Sequence, residues 1–477
     1  MTDHPATNLS VRKWAVFFSV AYAVQGFAQT ATLLSQPINY FFKAGHNYTA
    51  GQLAGVTFWV TFPWYIKPVY GLLSDFVPFL GYRRRSYLIA SSLLSFVAFA
   101  MVLGVNDPLP IIIAMIMTAV CTAFGDVMVD ALMVEKGQAA DRIKLFQGIQ
   151  WVTISGIGIL AAIGGGQLAG YADRTDDPIA GVHLGALIAM VGPAMLLVAT
   201  WFIVREPRRS LDMHGMRLAG RGFMQAVKSK PLLCVVAFVC LFWFQPGLVT
   251  PMYLFCTEDL GISEEFYGGA GAYTQGGFLF GALLFLLVLG PRLSIRKLAM
   301  ISIVAYATST FAYLALVGPK SLIALSIFFG VCYMFANLTL LTLAAQVCPK
   351  HVEAFVFAFL MGLFNFVRQG SEWIGGQVYD QLDATIGTGA TGFWSRLDMS
   401  GLGLDNPIHP LIVISGAVTL FAFLLVPLLP RKDDAIPGTG EDPNRDGQVC
   451  ESCGYDLRGT PVDGACPECG EKRIARV

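Results

Sequence analysis

Twelve apolar windows, each close to the roughly 20 residues a helix needs to cross the hydrocarbon core of a bilayer, follow one another along the chain. They lie near 13-38, 51-74, 84-105, 109-134, 144-170 and 184-204, then near 231-256, 265-290, 297-317, 320-346, 352-379 and 409-430. Inside a bilayer no water satisfies a free backbone group, so a spanning chain must be helical or a closed barrel. These runs are far too long for barrel strands. The expected fold is an all-α membrane protein with twelve transmembrane helices in two six-helix bundles, 13-204 and 231-430. A polar, basic segment at 205-230 joins them. Composition agrees, since 55% of the 477 residues are hydrophobic and only 13% charged, against about 25% charged in an ordinary soluble domain. A net charge of zero argues against a nucleic-acid partner.

The start, "MTDHPATNLSVRK", is polar, and the apolar run behind it is too long for the core of a cleavable signal. Residues 1-12 therefore read as a cytoplasmic tail before an uncleaved first helix. Orientation follows from lysine and arginine in the loops. With the N-terminus inside, 21 basic residues fall at inner ends, among them Arg83, Arg84, Arg85 and seven in 205-230. Outer loops hold four: Lys43, Arg174, Lys320 and Arg396. Both termini are expected on the cytoplasmic side of the cytoplasmic membrane.

After Pro430 the chain changes character. A polar, Pro/Gly-rich linker (431-447) leads into "CESCGYDLRGTPVDGACPECGEK". Cys450, Cys453, Cys466 and Cys469 have the spacing C-x2-C-x12-C-x2-C, which presents four thiolates tetrahedrally and suits a structural zinc. Residues 448-473 are thus expected to form a small cytoplasmic zinc ribbon, able to dock a cytoplasmic protein. Two disulfides would conflict with a reducing compartment, and a rubredoxin-like iron is the minor alternative. The other six cysteines lie in or beside spans and read as packing residues.

An ionisable side chain at mid-span costs about 2.5–3.5 kcal/mol on insertion scales, so each needs a partner or a wet cavity. The mid-span ionisable residues are Lys67, Asp126, Asp130, Arg368 and Glu372. None of the histidines sits mid-span, so any proton-carrying group must be a carboxylate. Asp126 and Asp130 share a face of the fourth helix with Thr118 and Thr122. Gln25, Gln29, Thr32 and Gln36 form a stripe on the first helix, and Asn365, Arg368, Gln369 and Glu372 one on the eleventh. Three such stripes argue for a hydrated cavity between the halves, with Gln245 beside it and Trp151 or Trp243 placed to stack on a flat ring. Structural alternatives stand beside these readings. Lys67 would simply neutralise Asp126 or Asp130, Arg368 and Glu372 would form a static i,i+4 pair, and the glutamines would be interhelical glue. The glycine-rich run 156-170 reads as a close-packing face.

Gly71 would let a neighbouring helix approach. Asp75, near a helix C-terminus, needs a donor, which Arg83 to Arg85 or another helix N-terminus would supply; such a pair suits a gate. "GLLSDFVPFLGYRR" (71-84) is similar to the signature between the second and third helices of the major facilitator superfamily. The wider pattern resembles its folate–biopterin transporter family. The stretches that carry this are "YAVQGFAQTATLLSQPINYFFK" (22-43), "PWYIKPVYGLLSDFVPFLGYRRRSYL", "GDVMVDALMVEKG" (125-137), "MYLFCTEDLGISEEFYG" (252-268) and "CPKHVEAFVFAFLMGLFNF" (348-366). They cover both halves, about 12-430. Gln25, Lys67, Asp75, Arg84, Asp126, Asp130 and Glu353 fall inside them. The matching junction of the second half, "GPRLSIRK", lacks the aspartate, and the family has no zinc ribbon.

The resemblance implies a major facilitator fold and alternating-access uptake of a folate-like or pterin-like organic anion, coupled to protons, with no cofactor for transport and no enzyme activity. The rival readings are a permease for cell-wall fragments or another bulky organic anion, and a membrane scaffold or assembly factor that docks partners through the ribbon.

Overall fold

The computed structural model describes residues 5–28, 32–139, 142–211, 213–290, 292–347, 353–388 and 404–430, together with 393, 397 and 401. Gln29 and the four tail cysteines lie outside the described residues, as does the side chain of Glu353. Among them the regular structure is helical, with isolated bridge positions at Phe79, Tyr82 and Leu404.

The first half contains α1 (Pro5–Ala28), α2 (Ser35–His46), α3 (Ala50–Thr61), α4 (Lys67–Phe76), α5 (Arg85–Val102), α6 (Pro108–Ala139), α7 (Ile143–Arg174), α8 (Ala180–Ala189) and α9 (Val191–Ile203). The basic joining segment is not all loop, because it holds α10 (Met213–Val227). The second half contains α11 (Lys230–Trp243), α12 (Val249–Leu254), α13 (Glu264–Leu284), α14 (Ile295–Ala312), α15 (Pro319–Val347), α16 (Glu353–Thr388) and α17 (Ile408–Leu420).

Eight segments among the described residues are long and apolar enough to cross a membrane: Arg85–Val102, Pro108–Gly137, Leu145–Arg174, Ala180–Ile203, Glu264–Leu289, Ile295–Ala315, Pro319–Ala344 and Ile408–Leu428. The other four windows depart from that simple form for local reasons. The first is split between α1 and α2. The second breaks over Phe62–Trp64, with Pro63 in the break and Pro68 in the first turn of α4, where a missing N–H costs little. The seventh breaks between Trp243 and Val249 around Pro246 and Gly247. The eleventh, α16, is continuous over 36 residues but carries the polar stripe. Large side chains such as Leu94, Leu187, Phe280, Leu287 and Leu424 are exposed around the bundle, a surface suited to lipid rather than water.

The halves meet chiefly where α7 packs on α13 and α3 on α16. At the end opposite the Arg83 to Arg85 cluster the approach is close. A Cβ on Gly268 would lie 2.4 Å from the Cα of Gly166, so only glycine fits both sides. Polar ties rim the same end. Arg174 pairs with Glu265 at 2.7 Å and Gln167 donates to it at 2.6 Å, while Lys43 pairs with Glu258 at 2.7 Å. The Thr49 hydroxyl donates to Asp380 at 2.7 Å. That end is closed.

Candidate functional site

The break between α11 and α12 builds the first part of the site. Gln245, Pro246, Gly247 and Leu248 expose backbone that a continuous helix would have satisfied, and they line a cavity of about 450 Å³. This falls within the roughly 300–1,000 Å³ of small-molecule sites, and irregular backbone at membrane depth is tolerated where it lines such a space. The second half repairs the break. The Gly247 N–H donates to the Ser371 carbonyl at 2.9 Å, and the Val249 N–H donates to a Glu372 carboxylate oxygen at 3.0 Å. Glu372 thus sits against the first N–H groups of α12, where a negative charge is favoured.

That assignment separates Glu372 from Arg368. The two share a helix face and the cavity, but no ion pair joins them among the described residues, and the Arg368 Nε is buried without a hydrogen-bond partner. A static i,i+4 pair is therefore not what the structure contains. The indole of Trp243 is only 2% exposed. It stands edge-on to Phe242, Tyr306, Tyr333 and Phe364, with centroids 4.9 to 5.4 Å away. It forms a cavity wall rather than a free stacking platform. Gln245 accepts a hydrogen bond from the Thr419 hydroxyl. Gln36, from the first half, and Gln275 also line the space.

Other candidates lie elsewhere. Trp151 is 48% exposed on α7 and does not line this cavity. Neither do Asn365, partly buried on α16, nor Gln25, partly buried on α1 with its amide nitrogen unpartnered.

The second part is a charge cluster in the first half. The break before α4 turns Lys67 toward α6, where its ammonium donates to Asp126 and lies 4.4 Å from the centre of the Trp64 ring. Asp126 is 6% exposed. Asp130, one turn on, has different company. It accepts from the Tyr22 hydroxyl at 2.9 Å and the Gln150 amide at 3.1 Å. Sequence reasoning missed both donors, although Tyr22 lies three residues before Gln25 and so shares its side of the helix.

The third part surrounds the short signature. Arg84, 3% exposed, donates to Asp75 and to Ser74. Arg83 pairs with Glu135 at 2.6 Å, and Glu206 accepts from the N–H groups of Arg84 and Arg85 at 2.9 and 3.1 Å, capping α5. Glu135 and Glu206 were not foreseen. Every partner belongs to the first half or the segment leaving it, so this network ties α4, α5 and α6 into one unit. Gly71 faces α6 at an ordinary distance, since a Cβ there would lie 3.9 Å from Val127. Close approach does not require glycine at that position.

The chain is 27% identical over 389 residues to the folate-biopterin transporter of Synechocystis, covering 78% of this chain and 74% of that one. It is 21% identical over 377 residues to folate transporter 1 of Plasmodium falciparum, covering 74% and 70%. Among solved structures, the POT family transporter PepTSo superposes with a TM-score of 0.65 at 10% identity, covering 87% of this chain and 97% of that one. The inward-open xylose transporter XylE from E. coli gives 0.60 at 12%, covering 90% and 98%. At such identities the likeness establishes the fold alone, the one these two solved transporters share. The relatives are named as transporters rather than enzymes. With the BT1 family model matching residues 25–444, this multi-pass membrane transporter belongs to the BT1 family.

Proposed function

We propose that the chain carries a folate-like or pterin-like organic anion across the cytoplasmic membrane by alternating access, using twelve spans, with both termini cytoplasmic and transport coupled to protons. The observation that carries the substrate class is Arg368. Arg368 lines the cavity while Glu372 is engaged by the α12 backbone. A planar fork with no ion pair among the described residues and an unpartnered Nε suits a carboxylate, which it can hold through two parallel hydrogen bonds. Gln245, Gln275 and Ser371 offer hydrogen-bonding groups around it, and Trp243 with Tyr306 supplies an apolar wall for a flat ring. The names of the relatives support the same class.

The closed end fits one state of such a cycle. Arg174–Glu265 is an exposed pair and Lys43–Glu258 a partly exposed one, and ion pairs open to solvent contribute little net stability. They order the closed end without locking it. In the tail, the four cysteines would hold one structural zinc, separate from transport.

Purified protein in liposomes provides the test. Folate or a carboxylated pterin should accumulate under an inward proton gradient. Arg368→Ala should weaken apparent affinity for the carboxylated substrate by roughly 10- to 100-fold, the worth of a charge-assisted hydrogen bond. A neutral pterin should lose far less. Equal losses for both would remove Arg368 from carboxylate recognition. Failure to move any pterin, with uptake of a bulkier anion, would favour the cell-wall-fragment permease.

A further inference from the structure

Two carboxylates and one ammonium share the cluster between α4 and α6, and the ammonium is committed. Lys67 donates to Asp126, while Asp130 has no cation within 4 Å among the described residues. Its partners are neutral: the Tyr22 hydroxyl from α1 and the Gln150 amide from α7. The titratable and charged groups facing it are Tyr22 on α1, Asp126 on α6 and Lys67 on α4, and α7 contributes only Gln150. Arg83 and Arg84 pair with Asp75 and Glu135 near the end of α6. The cluster therefore carries one uncompensated negative charge at membrane depth when both aspartates are ionised.

We propose that Asp130 takes up the coupling proton and that Asp126 is the standing partner of Lys67. One proton from the aqueous phase adds to the Asp130 carboxylate, giving a carboxylic acid and bringing the cluster from one negative charge to neutrality. Release reverses the step. The site also couples the proton to movement. An ionised Asp130 holds α1 and α7 to α6 through two charge-assisted hydrogen bonds, which are roughly twice as strong as their neutral counterparts. Protonation weakens both together. This frees α1, the helix before α2 with its cavity residue Gln36, and α7, whose glycines close on α13.

The inference deepens the proton-coupled transport reading, but its test needs no substrate. Infrared difference spectra of the reconstituted full chain, recorded as the pH is lowered, should gain a carboxylic-acid C=O band. Asp130→Asn should lose that band, and Asp126→Asn should move its appearance to lower pH, because the freed Lys67 ammonium then has Asp130 alone to neutralise. Tyr22→Phe and Gln150→Leu should each move its frequency, because each removes a hydrogen-bond partner of that group. In transport, Asp130→Asn should flatten the pH dependence of substrate counterflow relative to its own maximum. A band kept in Asp130→Asn would overturn the assignment. So would a wild-type band that neither Tyr22→Phe nor Gln150→Leu displaces, and that comparison stands even if Asp130→Asn fails to fold. Loss of pterin transport with the expected infrared pattern would leave the protonation site standing and strike only the substrate.

Discussion

Replacing Lys67 with alanine strands a carboxylate that is 6% exposed. Breaking a buried ion pair from one side costs about 3–5 kcal/mol, because the remaining charge is left uncompensated. The Lys67 side chain is 20% exposed, so part of its charge is already solvated and the lower end of that range applies. Loss of its contact with Trp64 adds about 0.5–1 kcal/mol. The expected loss is about 3–4 kcal/mol. Taking about 2.1 cal/mol/K of unfolding entropy per residue over 477 residues, 1 kcal/mol corresponds to about 1 °C, so Tm should fall by roughly 3–4 °C.

The reverse cut is milder. Asp126→Asn leaves the ammonium one helical turn from Asp130, which can accept it, so the loss should be about half as large. The double variant removes both charges and should recover part of the Lys67→Ala loss, giving a coupling of about 2 kcal/mol in a double-mutant cycle. Thermal unfolding of the four proteins in one detergent measures this. Equal single losses that simply add in the double would refute the account, since they would mean that Lys67 and Asp126 do not sense one another.

Gly268→Ala should prevent closure of the opposite end, because its Cβ would lie 2.4 Å from backbone of Gly166. A cysteine at Thr274, a cavity position, should then label faster from outside in that variant than in its parent. Cysteines placed at Asp176 or Asn406 should label from outside intact cells and one at Ser210 should not. The opposite pattern would defeat the orientation argument. Purified protein should contain one zinc, lost in Cys453→Ser with Cys469→Ser, while transport continues; a truncation at Asp433 that reaches the membrane but no longer transports would give the tail a part in the cycle.

Eight of the twelve expected spans were legible from the sequence because a bilayer acts on local composition. Apolar length and loop charge are properties of consecutive residues, and no tertiary partner is needed to read them. The same logic singled out Lys67, Asp126, Asp130, Arg368 and Glu372 as residues needing company, since an ionisable group at membrane depth is conspicuous wherever it faces. Helix breaks were harder to place. Pro68 beside Lys67 raised the question, and only the turn at Phe62–Trp64 explains how proline and lysine together start a new helix aimed at α6.

The choice of partner was decided by tertiary structure alone. Spacing puts Asp126 and Asp130 on one face, but it does not say which of them meets α4 and which meets α1 and α7. That depends on how three helices are rotated against one another. Arg368 and Glu372 make the same point, since four-residue spacing permits a pair that the broken end of α12 instead prevents by engaging the carboxylate. Trp243 has the composition of a stacking platform and the surroundings of a wall, because four other rings occupy its edges and faces. The sequence by itself determined which residues carry charge into the membrane. Helix rotation and backbone breaks determined which of those charges are matched and which remain available.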